Sequence, residues 1–331
     1  MMIQGHDILS PMESKKELLR FYLLTLLLSW PLWFLSGVLT REEPFYDTKW
    51  LIAQVGVFAP ALSALILSGR LSATHRRNSF RLALVIGAVL LLALFVAREK
   101  KSSIPEFSPA ILAAVTAAAL AVMLYLSPSN RYFLHLSSAE KHGVSKGRWV
   151  VLALIFFPVL FLSSWMIIGL FGESFDVASF QQGWAGFLRI LIAVFSMNLI
   201  LGGSLGEELG WSGYALPLWL RFSTPVEAGL RLGFFCALWH LPIDIFGGGG
   251  FWVFTVFARI GWGVAIYIVF TWFYLKANRA VLVPVILHTT VNILPDLGFA
   301  AFRPAFLLMT MITVGAALIL GRRKEMRTEP R

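Results

Sequence analysis

Three short stretches of this chain carry the residues able to do chemistry. In Gly206-Glu207-Glu208-Leu209-Gly210-Trp211-Ser212-Gly213-Tyr214, two adjacent carboxylates sit in an apolar run rich in glycine and aromatics. Like charges side by side in a low dielectric resist joint ionisation, so such a pair is suited to taking up and releasing a proton, as a general base must. The competing reading is a glutamate pair at a helix end, wetted by headgroup water. In Ala237-Leu238-Trp239-His240-Leu241-Pro242 a single imidazole stands among apolar and aromatic residues. It is either a proton carrier or a satisfied structural histidine. In His288-Thr289-Thr290-Val291-Asn292 the i,i+4 spacing puts an imidazole and a carboxamide on one helical face. That face can present two donors to one oxygen, or it is a polar clamp between helices. Together the three stretches supply a carboxylate base, an imidazole partner and paired donors for developing negative charge. The residues alone leave open which glutamate is the base.

The elements that hold these residues must lie in a membrane. The chain has 331 residues, of which 58% are hydrophobic and only 14% charged, and the mean hydropathy is +0.75. A soluble domain carries about 25% charge, so there is too little polar surface here for a water-exposed fold. The single Cys236 excludes an intramolecular disulfide framework and a multi-cysteine metal cage. Apolar runs of about 20 residues, the length that crosses a hydrocarbon core of about 30 Å, fall at 19–39, 50–69, 82–97, 109–127, 149–171, 185–206, 228–246, 251–275, 280–295 and 304–320. The expected fold is an all-α, polytopic membrane bundle of roughly eight to ten transmembrane helices. The first run begins about twenty residues in and has no small-residue cleavage site before Thr40, unlike a cleavable signal peptide.

Charge placement orients the bundle. Lys15, Lys16 and Arg20 precede the first run, and Arg70, Arg76, Arg77 and Arg81 follow the second. Arg131, Lys141, Lys146 and Arg148 follow the fourth, Arg221 the sixth, Lys276 and Arg279 the eighth, and Arg322, Arg323, Lys324 and Arg327 the last. All of these are cytoplasmic if both termini are inside, and Arg98, Lys100 and Lys101 after the third run conflict. The net charge of +10 therefore reads as topology and contact with anionic lipid, not as a nucleic-acid surface. The expected setting is a multi-pass protein of the cell membrane.

Ionisable and strongly polar residues are nearly absent from the first five runs and cluster afterwards: Arg189, Glu207, Glu208, Arg231, His240, Asp244, Arg259, His288 and Asn292. A charge inside a bilayer costs several kcal/mol and needs a partner, a cavity or a function. Residues 1–184 thus read as scaffold helices, 185–295 as the core that carries the chemistry, and 296–331 as a last helix with a basic cytoplasmic tail. Counted at 1.5 Å per residue from the cytoplasmic helix ends, His240 lies about 18 Å and His288 about 12 Å deep. Glu207 and Glu208 close the sixth span on that same side, so the groups can meet in a chamber open to the cytoplasm.

At these residues the sequence resembles the CPBP family of intramembrane peptidases, which includes the type II CAAX prenyl endopeptidases and bacterial relatives linked to bacteriocin processing and immunity. The family's first motif is two glutamates with an arginine four residues on. Glu207 and Glu208 match it, and Ser212 stands in the arginine position. The second is a phenylalanine four residues before a histidine; His240 matches, and Cys236 replaces the phenylalanine. The third, His288 and Asn292, is intact. The resemblance covers about residues 185–295 and implies a glutamate-dependent endopeptidase. In family terms Glu207, assisted by His240, activates water, His288 and Asn292 stabilise the oxyanion, and Glu208 supports the site. It also implies a peptide or membrane-protein substrate in the bilayer, such as a prenylated C-a-a-X tail or a leader peptide. No cofactor is expected. The alternative is zinc held by Glu207, His240 and His288, although no H-E-x-x-H stretch is present.

Other readings compete. Gly210-Trp211-Ser212-Gly213 fits the G-x-S-G pattern of rhomboid proteases with Ser212 as nucleophile, but rhomboids place the His-x-x-x-Asn helix before the serine. Gly202-Gly203-Ser204-Leu205-Gly206 matches G-x-S-x-G without the strand-to-helix elbow that motif needs. A proton-coupled transporter would use the same buried carboxylates and histidines, with Arg189, Arg231 and Arg259 as counter-ions, yet no repeated half is visible. A catalytically silent immunity or binding protein on the same scaffold is the third.

Overall fold

The computed structural model describes residues 9–38, 48–68, 146–171, 183–200, 202–247, 252–296 and 303–328. The expected spans 82–97 and 109–127 lie outside the described residues. The regular elements described are all helical: α1 Pro11–Val38, α2 Thr48–Val57, α3 Ala59–Ser68, α4 Lys146–Gly169, α5 Gly183–Ile200, α6 Ser204–Gly210, a π-helical turn Trp211–Ala215, α7 Leu216–Trp219, α8 Pro225–Trp239, α9 Leu241–Gly247, α10 Trp252–Lys276, α11 Leu282–Asp296, α12 Arg303–Gly321 and α13 Lys324–Arg327. Among these residues, four stretches are long and apolar enough to cross a membrane: Pro11–Val38, Gly147–Gly169, Gly183–Trp219 and Trp252–Lys276. Ala59–Ser68, Leu282–Leu294 and Leu307–Gly321 are shorter apolar helices. The protein is an integral, multi-pass helical bundle, as the composition requires.

Two of the expected spans are divided by identifiable residues, and a third runs on past its expected end. The run 50–69 breaks at Phe58 into α2 and α3, because Pro60 has no N–H to continue the ladder and crowds the residue before it. The run 228–246 starts earlier, at Pro225, where Thr224 and Glu227 form a reciprocal capping box. It then breaks at His240, whose N–H bonds the Ala237 carbonyl at 3.1 Å, and Pro242 opens α9. The run 185–206 does not end where expected: helical structure resumes at Ser204 and continues through the π turn to Trp219.

Lipid is as apolar as leucine, so close packing and polar contacts, not exclusion from water, decide how these helices meet. α8 lies against α10 at small residues; a Cβ added at Gly233 would stand 2.4 Å from the Gly263 carbonyl oxygen. α11 packs on α4, α5 and α6, and α12 on α4 and α10. α1 packs on α2, α3, α7 and α9. One continuous buried cluster runs from Leu18 in α1 through Phe157 and Phe161 in α4 to Met326 in α13. The scaffold helices therefore form part of the wall around residues 204–292.

Candidate active site

The two glutamates are placed by glycines on the helix that carries them. Gly203 opens α6 at φ +101°, a left-handed conformation open to glycine, and a Cβ there would stand 2.6 Å from the Glu207 carboxylate. One turn beyond the glutamates, Gly210 rests on the α2–α3 corner, where a Cβ would meet the Pro60 carbonyl carbon at 2.5 Å. α6 is thereby pressed against that corner, with its carboxylates engaging α8, α10 and α11. Glu207 is 5% exposed and Glu208 fully buried. The expectation that the pair closes a helix at the interface is thus corrected. The glutamates lie within the protein, in helical structure that continues past them, because protein partners replace headgroup water.

Those partners differ for the two residues. Glu208 accepts three hydrogen bonds: from the Ser212 hydroxyl on Oε2, from the Tyr267 hydroxyl on Oε1 at 2.8 Å, and from His288 Nδ1 on Oε1 at 2.9 Å. A carboxylate can accept all three at once, which is how a fully buried charge is tolerated. Glu207 has no such shell; its contacts are His240 Nε2 at 3.9 Å and the Cys236 thiol at 3.9 Å.

His240 is held on three sides. Its Nδ1 lies 2.8 Å from the Cys236 carbonyl. A carbonyl only accepts, so Nδ1 carries a proton, and the ring turns Nε2 toward Glu207. The ring lies near-parallel to Trp33, centroids 5.9 Å apart, and edge-on to Trp239 at 4.7 Å. The two indoles are themselves pinned: Trp239 Nε1 donates to Ser29 Oγ at 2.7 Å, Trp33 Nε1 to the Ala53 carbonyl at 2.9 Å, and Trp30 Nε1 to the Trp239 carbonyl at 3.0 Å. α1, some two hundred residues away in sequence, thus supplies one wall of the histidine's seat.

His288 and Asn292 lie one turn apart on α11, each with half its polar capacity committed. His288 gives Nδ1 to Glu208, and the Asn292 amide donates to the Gly202 carbonyl at 3.1 Å, tying α11 to the turn that opens α6. The remaining donors are His288 Nε2, when the ring is doubly protonated, and the second Asn292 N–H.

The five residues singled out from the sequence are thus joined as Glu207 with His240, Glu208 with His288, and Asn292 to the α6 turn. Among the described residues no three His, Cys, Asp or Glu side chains converge in a metal-binding group, so Glu207, His240 and His288 do not form a ready-made ligand set for zinc as they stand. Ser212 is buried with its hydroxyl on a carboxylate rather than on a histidine, the partner a serine nucleophile requires. Ser204 is fully buried at the first position of α6, away from any strand-to-helix elbow. The arginines do not serve the glutamates as close counter-ions: Arg259 pairs with Asp244, Arg231 lies 4.9 Å from the Trp219 ring, and Arg189 is exposed. Sequence reasoning missed Tyr267, Ser29, Trp33 and Gly203. A tyrosine hydroxyl or an indole N–H inside an apolar span demands a partner, and that signal was present at Tyr267, Trp30 and Trp33.

Fold and site define a class: a multi-pass helical membrane protein enclosing a buried centre of carboxylates and imidazoles. Residues 189–294, about a third of the chain, match the family model described as Type II CAAX prenyl endopeptidase Rce1-like. The chain is also similar to the CAAX prenyl protease 2 of Methanococcus maripaludis, with 27% identity over 185 residues. That similarity spans 53% of this chain and 66% of the relative's length.

Proposed function

We propose that the protein is an intramembrane endopeptidase whose water nucleophile is activated between Glu207 and His240. The observation that carries this reading is the 3.9 Å separation of Glu207 Oε1 from His240 Nε2. It is too long for a direct hydrogen bond and the right size for one water to touch both, at about 2.8 Å each. Glu207 takes a proton from that water as its oxygen attacks the scissile carbonyl carbon. The carbonyl electron pair moves onto oxygen, where His288 Nε2–H and Asn292 face it as donors. The His288 ring donates there while holding Glu208 only if both nitrogens carry protons, so Glu208 serves as its counter-ion. As the intermediate collapses, the proton held by Glu207 passes through His240 to the departing amine. No step is routed through a metal.

The distribution of basic residues supports a bundle with both termini on the cytoplasmic side of the cell membrane and cleavage near that face. The relative's name supports prenylated C-a-a-X tails as the substrate class; leader peptides and other membrane proteins are the alternatives. The test is cleavage of a farnesylated C-a-a-X peptide by the purified full-length protein in nanodiscs, followed by mass spectrometry. Glu207→Gln and His240→Ala are expected to abolish the product. Unchanged cleavage in both variants would overturn the assignment.

A further inference from the structure

A second ionic feature lies one turn beyond His240. Asp244, on α9, is 2% exposed, and its N–H bonds the His240 carbonyl at 3.1 Å. Its carboxylate receives Arg259 of α10 side-on: Nε lies 2.9 and 2.7 Å from the two oxygens, and Nη2 lies 2.7 Å from Oδ1. A guanidinium has five N–H donors. This arrangement uses the Nε–Nη2 edge and leaves the Nη1–Nη2 edge with no hydrogen bond among the described residues. Asp244 is sealed inside while the Arg259 side chain is 35% exposed, so the arginine is the accessible half of the pair. An ion pair inside a membrane bundle is expensive and marks a functional position. The planar fork of arginine matches a carboxylate better than any other side chain does.

We infer that the free edge of Arg259, fixed by Asp244, binds the C-terminal carboxylate of the substrate. The inference rests on the peptidase reading above and deepens it. A cut inside a four-residue tail lies at most three residues from the chain end, and three extended residues reach about 10 Å. Asp244 is four residues past His240, about 6 Å of helical rise, and the arginine side chain extends from the facing helix. A terminal carboxylate can therefore rest on Arg259 while the bond to be cut lies at Glu207 and His240. The site then selects chain ends over internal loops.

The test is equilibrium binding to the full-length Glu207→Gln protein in phosphatidylcholine nanodiscs. The probes are a farnesylated C-a-a-X peptide with a free terminal carboxylate and the same peptide ending in a carboxamide. The acid is expected to bind about tenfold or more tightly, the scale of a charge-assisted hydrogen-bonded pair. Asp244→Asn/Arg259→Gln, which removes both charges together, is expected to erase the preference. Arg259→Lys, which keeps the charge beside Asp244 but not the fork, is expected to reduce it, and Arg189→Gln to leave it intact. Equal binding of acid and amide, or a preference that survives without Arg259, overturns the subsite while leaving the peptidase reading standing. Loss of the preference on adding phosphatidylglycerol assigns the free edge to lipid headgroups and also overturns it. Failure of both peptides to bind, with no cleavage by the wild type, removes the peptidase reading and the subsite together.

Discussion

Ser212 separates two chemistries by magnitude. Its hydroxyl donates to Glu208 Oε2, while Tyr267 and His288 share Oε1. Ser212→Ala removes one of three donors to a buried carboxylate, and a hydrogen bond to a charged group contributes about 1.5–3 kcal/mol. If the whole of that loss is felt in the transition state, through the His288 ring that Glu208 holds, kcat falls about ten- to a hundredfold. KM is expected to stay within about threefold, because Glu208 does not touch substrate in this arrangement. Were Ser212 the nucleophile, its loss would lower kcat about a millionfold, the scale seen for catalytic serines. Tyr267→Phe is expected to resemble Ser212→Ala, and the double variant to fall short of the product of the two, since both act through one carboxylate. The assay is steady-state cleavage of a quenched fluorescent farnesyl-peptide in nanodiscs, with Glu207→Gln alongside. Activity at background in Ser212→Ala and retained in Glu207→Gln would refute this reasoning and install the serine.

Three further outcomes are expected. Gly210→Ala, whose Cβ would lie 2.4–2.6 Å from Pro60 atoms, destabilises by about 1–3 kcal/mol, whereas Gly315→Ala, with open space around it, is neutral or stabilises by up to about 1 kcal/mol; thermal unfolding in detergent checks both. Trp33→Phe keeps a ring beside His240 and loses the bond to Ala53, so it is expected to retain more activity than Trp33→Ala and to shift the pH–rate profile less. Lys276 and Trp272 hydrogen-bond Glu325 on α13 and hold its carboxyl below the usual range. A depressed carboxyl stabilises the fold above its unfolded value and loses that contribution as pH falls through the folded one. Glu325→Gln is therefore expected to lower stability at pH 7 and not once acid has protonated the carboxyl; because the pair is largely exposed, the loss is under about 1 kcal/mol, read as a small Tm difference that vanishes in acid.

Much of the site was legible in the sequence because bilayers penalise polar groups so strongly. Glu207, Glu208, His240, His288 and Asn292 stood out against leucine and phenylalanine, and the structure brings them into two carboxylate–imidazole contacts and one tether. The depth of the glutamates was not legible. A doubly charged step reads as a helix end unless three donors, eighty residues or fewer away along the chain, are known to converge on it. Ser212 is an example: in the sequence it stands as a replacement for arginine or as a nucleophile, while its partner is one helical turn behind it. Asp244 and Arg259 both stand out as misplaced charges, but their mutual pairing depends on the break at His240. The division of 50–69 is readable from Pro60, although hydropathy is continuous across it. The role of α1 was hidden for another reason: the bonds from Trp239 to Ser29 and from Trp30 to Trp239 join residues 210 and 209 positions apart, and no local pattern announces them.

That separation has a consequence in time. At about 5–20 residues per second, α1 waits about 10–40 s in the bilayer before the helix bearing Trp239 and His240 is synthesised. Until then the histidine's seat has only one wall, and the gap between Glu207 and His240 has no second side. A nascent chain therefore carries no assembled Glu207–His240 pair. The pair is completed only when α1 docks against a helix made far later, so assembly itself would gate the activity proposed for it.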